Sequence, residues 1–125
     1  AVASILTMQP KILVLDEPTT GQDWGHSTML MNLAKRLNEE KGVTVIFITH
    51  DMRLVAEYAD RVVLMEAGKV AMDGTPREIF NNPELTRYNI LPPYITQLSH
   101  RLFENRPPVI RVEEFLEGVR ALMGR

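Results

Sequence analysis

Cysteine is absent from this 125-residue chain. That excludes a disulfide scaffold and is in keeping with a reducing cytosol. An excess of either charge is missing too: 14 Lys and Arg stand against 16 Asp and Glu, a net charge of −2. Composition therefore offers neither the basic footprint of a nucleic-acid binder nor a polybasic membrane patch. The longest apolar runs are strand-length, too short for a transmembrane helix, and Ala1 to Leu6 is apolar without the basic start of a secretory signal. No two of the three histidines have metal-ligand spacing, so a zinc site is not expected. There is no Gly-Gly pair, no internal repeat and no low-complexity tract. Nor is there a G-x-x-x-x-G-K-[ST] loop, whose amides and lysine cradle nucleotide phosphates. Gly68-Lys69 is followed by Val70, and Val63 stands where the first glycine would be. Length and an ordinary 45% hydrophobic content allow one domain, or a half-domain with an appendage.

The most informative segment present is Ile12 to Asp23, ILVLDEPTTGQD. An apolar run of this kind reads as a buried parallel strand. It ends in two adjacent carboxylates, Asp16 and Glu17, followed by Pro18. The carboxyl end of such a strand is where open α/β sheets bind ligands. There one acid can hold a hydrated Mg²⁺ and the other can orient or deprotonate a water. A second apolar run, Val43 to Thr49, closes on His50 and Asp51. An imidazole so placed can donate a hydrogen bond to a phosphate oxygen as charge develops on it. Plainer readings of the two pieces are an acidic turn after a buried strand and a helix-capping Thr-His-Asp turn. His26 and His100 lack comparable context and read as surface residues.

Between the runs, Leu30, Leu33, Ala34 and Leu37 recur at helical spacing, with polar residues on the other faces. Lys41-Gly42 supplies a basic last turn and a terminating glycine. Strand, helix, strand makes a crossover unit, expected to be right-handed. A short helix from Met52 to Tyr58 is capped by Asp51. Arg61 to Glu66 and Lys69 to Asp73 flank Ala67-Gly68 as a hairpin. Thr75-Pro76-Arg77-Glu78 marks a helix start with a capping box, and that helix ends near Phe80. Prolines at 92–93 and 107–108 punctuate the remainder. A short helix is expected after the first pair, through Ile95, Leu98 and Leu102. After the second, Val112, Phe115, Leu116, Val119, Leu122 and Met123 mark an amphipathic final helix, which packs on the core or serves a partner.

ILVLDEPTTGQD together with Thr49-His50-Asp51 resembles the Walker B strand, D-loop and switch-histidine strand of the ATP-binding cassette (ABC) transporter ATPases. LPPYITQLSHRL (Leu91 to Leu102) after GTPREIF (Gly74 to Phe80), and the later Pro-Pro-Val and Val-Glu-Glu-Phe, resemble the cobalt and energy-coupling-factor A components within that group. The fold this implies is α/β: the C-terminal portion of a P-loop, RecA-like parallel sheet with flanking helices. Residues 1–82 would belong to the ATPase domain and 83–125 to a mostly helical C-terminal extension, for packing or dimerisation. The family's signature loop is also missing, and Ala1 to Gln9 reads as the tail of the helix that follows it, so the chain is expected to be the C-terminal portion of a longer protein.

The resemblance also implies roles. Asp16 would hold Mg²⁺ through water, Glu17 would activate the attacking water, and His50 would contact the terminal phosphate of ATP. Asp23 would reach toward a second ATPase subunit. The partners would be that subunit, alike or different, and a transmembrane coupling subunit, at the cytoplasmic face of the cell membrane. The transported substrate would be cobalt, nickel or a vitamin. The chain alone is expected not to hydrolyse ATP and to self-associate, because the phosphate-loop strand that normally lies beside the strand ending at His50 is missing. Two other classes stay open on sequence: a non-enzymatic regulatory or dimerisation module, and an ABC-type ATPase of DNA maintenance, for which neither a coiled coil nor DNA-binding charge is present.

Overall fold

The computed structural model describes residues 9–19, 21, 23–103 and 108–124. The helix tail expected over Ala1 to Gln9 falls mostly on 1–8, outside the described residues, as does Pro107. The chain divides into two compact units, Ala1–His50 and Asp51–Arg125.

In the first unit, strand β1 (Ile12–Asp16) pairs in parallel with β2 (Thr44–Ile48), with Ile12 beside Thr44 and Asp16 beside Ile48. Helix α1 (Trp24–Lys41) connects them. A parallel pair needs such a crossover because no tight turn can return the chain to the same end of the sheet. Asp23 caps the helix start, and Gly42 ends it in the left-handed conformation at φ 68°, returning its N–H to Asn38 and Leu37. Only glycine adopts that geometry without a steric cost. The helix buries Ser27, Met31 and Ala34, while Leu30, Leu33 and Leu37 flank them half-buried. The buried stripe thus runs through Ser27, Met31 and Ala34, beside the leucines that mark the helix in sequence.

Both strands were expected to be buried, and here the structure differs. Their residues alternate exposed and half-buried, with Ile12, Val14, Ile46 and Ile48 open on one face. Among the described residues of this unit one helix stands by the two-stranded sheet, which clothes one face; period-2 alternation then exposes every second side chain whatever its chemistry.

The second unit begins with helix α2 (Met52–Tyr58), capped by the Asp51 carboxylate, which accepts from the Arg53 and Leu54 amides. The antiparallel hairpin of β3 (Val62–Glu66) and β4 (Lys69–Gly74) follows, with a bulge beside Leu64 and Met65. Helix α3 (Pro76–Phe80) opens with the full Thr75/Glu78 capping box. A 3₁₀ turn at Pro83–Tyr88, helix α4 (Tyr94–Leu102) and helix α5 (Val112–Met123) complete the unit. Its core joins Leu54, Val55, Ile79, Phe80, Leu85 and Ile110. Residues before and after Pro83 are tied together: Arg77 donates to Glu114 at 2.6 Å and to the Pro108 carbonyl at 3.3 Å. The Phe103 and Phe115 rings meet at 5.4 Å, joining α4 to α5. No residue of α5 is buried, and Val112, Leu116, Leu122 and Met123 are exposed.

Candidate active site

The site lies at the carboxyl end of the parallel pair, within the first unit. Asp16 is the last residue of β1 and its side chain is exposed. Glu17 continues the pairing by one bond, its N–H donating to the Ile48 carbonyl at 2.8 Å. Its backbone then turns into the left-handed region at φ 46°. For a residue with a side chain this costs roughly 1–2 kcal/mol, a local strain of the kind that re-aims functional groups. Pro18 follows, and without an N–H it cannot extend the ladder.

Two positions past the end of β2, His50 comes to the same place. Its Nδ1 lies 3.1 Å from Glu17 Oε1, although the residues are 33 apart in sequence. The parallel register makes this meeting: Asp16 pairs with Ile48, so the residues just beyond each strand end side by side. Glu17 is half-buried and the His50 ring exposed. An ionised carboxylate can only accept. Nδ1 must therefore carry the proton, and Nε2 is the nitrogen left to face a ligand.

Asp23 sits apart from this pair, at the start of α1. Its Oδ1 accepts the His26 amide at 2.9 Å, and His26 Nδ1 stands 3.0 Å from the same oxygen. These bonds, the amide bond first, hold the Asp23 carboxyl below its ordinary value. His26, which reads as a surface residue in the sequence, is exposed, but it pairs with Asp23; the i, i+3 spacing across a helix start is the signal that marks the pair. His100 is exposed on α4. Among the described residues no three His, Cys, Asp or Glu side chains cluster so as to hold a metal by themselves. Asp16 alone suits the manner in which Mg²⁺ is bound, by one or two carboxylates with substrate phosphates and waters completing the shell. No helix among the described residues is long and apolar enough to cross a membrane.

No protein-family model matches the chain. Similar proteins are nonetheless clear. The energy-coupling factor transporter ATP-binding protein EcfA2 of Ligilactobacillus salivarius is 45% identical over 105 residues, 83% of this chain and 36% of that protein. EcfA2 of Streptococcus agalactiae is 45% identical over 125 residues, covering 96% of the chain and 44% of the relative. Among solved structures, cbiO1 from Clostridium perfringens, part of the ABC transporter complex cbiONQ, matches with a TM-score of 0.61 and 36% identity. That match covers 81% of this chain and 39% of cbiO1. The chain thus spans well under half the length of these relatives.

Proposed function

We propose, for a chain homologous over part of their length to the ATP-binding proteins of ABC transporters, that it supplies the hydrolytic residues of an ATP-hydrolysing subunit of an ABC-type importer of the energy-coupling-factor kind. The observation that carries this reading is the 3.1 Å approach of Glu17 Oε1 to His50 Nδ1, one residue beyond Asp16.

Asp16 would hold Mg²⁺, and the bound metal would neutralise the charge that develops on the phosphates. Glu17 orients and deprotonates the attacking water from its fixed position at the strand end. His50 keeps Nδ1 on Glu17 and directs Nε2 to the terminal phosphate. In one geometry the pair thus serves the water and the phosphate that it attacks. Asp23 reaches toward a second ATPase subunit.

The partners are that second subunit and a transmembrane coupling subunit, at the cytoplasmic face of the membrane. The cargo class is cobalt, nickel or a vitamin. Residues 83–125 form an extension whose α5 presents an apolar stripe to a neighbouring subunit; the exposure of Leu116, Leu122 and Met123 supports this. Without a phosphate-cradling loop in its sequence, the chain by itself does not turn over ATP.

The test is Glu17→Gln in a complete ATP-binding subunit carrying this segment. Hydrolysis should fall about a hundred-fold or more, the usual cost of losing a transition-state contact, while ATP binding persists. Asp16→Asn should instead weaken binding of the Mg²⁺-nucleotide. Normal turnover in Glu17→Gln would remove the catalytic assignment.

A further inference from the structure

Asp23 makes one more bond than a helix cap requires. Its carbonyl accepts the Ser27 amide at 3.0 Å, and its Oδ1 accepts the His26 amide at 2.9 Å. Those two bonds are the ordinary work of an N-cap. The added feature is the His26 ring, whose Nδ1 lies 3.0 Å from that same Oδ1. Since a carboxylate only accepts, Nδ1 carries the proton here too. The two described bonds to the side chain therefore converge on one oxygen. A carboxylate offers about four lone-pair sites over its two oxygens, so Oδ2 keeps acceptor capacity. Both side chains are exposed.

We propose that His26 is the positioning residue of Asp23: its ring and its amide together pin Oδ1 at the start of α1, so that Oδ2 is presented in one fixed direction to a donor on the neighbouring ATPase subunit. This rests on the reading of Asp23 as the residue that reaches that subunit. The His26 and Gly25 amides both act on the Asp23 carboxylate, and the ring adds a side-chain donor from the same helix turn, which narrows the directions that carboxylate can take. An exposed local pair adds little to folding stability. Its effect belongs instead in the contact between subunits, where ordering a side chain beforehand saves the loss on binding.

The experiment is a mutant cycle in the complete ATP-binding subunit, reading ATP hydrolysis as a function of subunit concentration. Asp23→Ala should raise the concentration needed for half-maximal activity. His26→Ala should raise it about two- to five-fold, the range of an exposed local pair. His26→Asn, whose Nδ2 stands where the ring Nδ1 stood, should restore it. His26→Ala added to Asp23→Ala should shift nothing further. If Asp23→Ala itself has no effect, the reading of Asp23 fails and this proposal with it. If Asp23→Ala acts but His26→Ala does not, or the two effects simply add, the positioning role alone is overturned. A measurement on the unmutated protein guards against a variant that misfolds: nitrogen NMR of His26 should show the Nδ1–H tautomer, and a predominant Nε2–H tautomer would contradict the proposal.

Discussion

The bare face of the β1–β2 sheet should make the chain associate with itself. Ile12, Val14, Ile46 and Ile48 keep 59%, 57%, 48% and 52% of their surface in water. Fully burying such a side chain contributes roughly 1.5–3 kcal/mol, so covering the exposed half of all four adds about 4 kcal/mol per chain and about 8 kcal/mol when two such faces meet. Bringing two chains together costs at least about 4 kcal/mol in lost freedom. The face alone therefore leaves about 4 kcal/mol in favour of association. The outer edges of the two strands, unpaired among the described residues, can add to this, since each ladder bond formed adds about 1 kcal/mol, and open edges invite such pairing. The expected outcome is weak association with a Kd near a millimolar or somewhat tighter. Val14 and Ile46 are register partners, so Val14→Lys with Ile46→Glu makes the face polar while giving each charge an opposite neighbour. That change removes about half of the apolar gain and should weaken association by more than about ten-fold. Light scattering from ten micromolar to one millimolar reads both. The mass of a single chain throughout, or unchanged association in the double variant, would refute the reasoning.

Two further predictions concern the second unit. Arg61 grips Asp73 across the hairpin with two bonds, Nε to Oδ1 at 2.8 Å and Nη2 to Oδ2 at 2.6 Å. The Arg61 hydrogen bond holds the Asp73 carboxyl below its ordinary 3.8, so the pair's contribution is complete above about pH 4 and is lost as pH falls through the lowered value. An acid titration of the hairpin amides by NMR should show this step, and Asp73→Asn should abolish it; an unchanged step in the variant would contradict the assignment. Thr96 is 0% exposed and its Oγ1 has no hydrogen-bond partner among the described residues. Thr96→Val keeps the shape and relieves the buried hydroxyl, and should stabilise the chain by about 1 kcal/mol, read as a higher denaturant midpoint; a lower midpoint would show that the hydroxyl has a partner.

Local signals made much of the fold legible. Asp51, Gly42, Thr75 and Glu78 act through bonds to their own neighbours, so the elements they bound emerge where their chemistry places them. The Glu17–His50 meeting was legible only as two strand ends bearing complementary groups; the parallel register of Asp16 with Ile48 supplies the 3.1 Å approach, and register is a long-range property. Burial of the strands is not legible in this way, because a continuous apolar run states what a side chain tolerates, whereas exposure depends on what covers the sheet. The 3₁₀ turn at Pro83–Tyr88 has no apolar period to announce it. Its start rests on Asn82 accepting from Glu84 at 2.9 Å, a side-chain bond that also suits a simple turn.

The central claim is that Glu17 and His50 act as one unit. A double-mutant cycle in a complete ATP-binding subunit tests it most directly, with single-turnover ATP hydrolysis measured for Glu17→Gln, His50→Ala and both together. Groups that act as a unit lose nearly everything with the first change. The account predicts that each single variant is crippled by about a hundred-fold or more and that the double variant is scarcely worse. Multiplying losses, or near-normal turnover in either single variant, would contradict it.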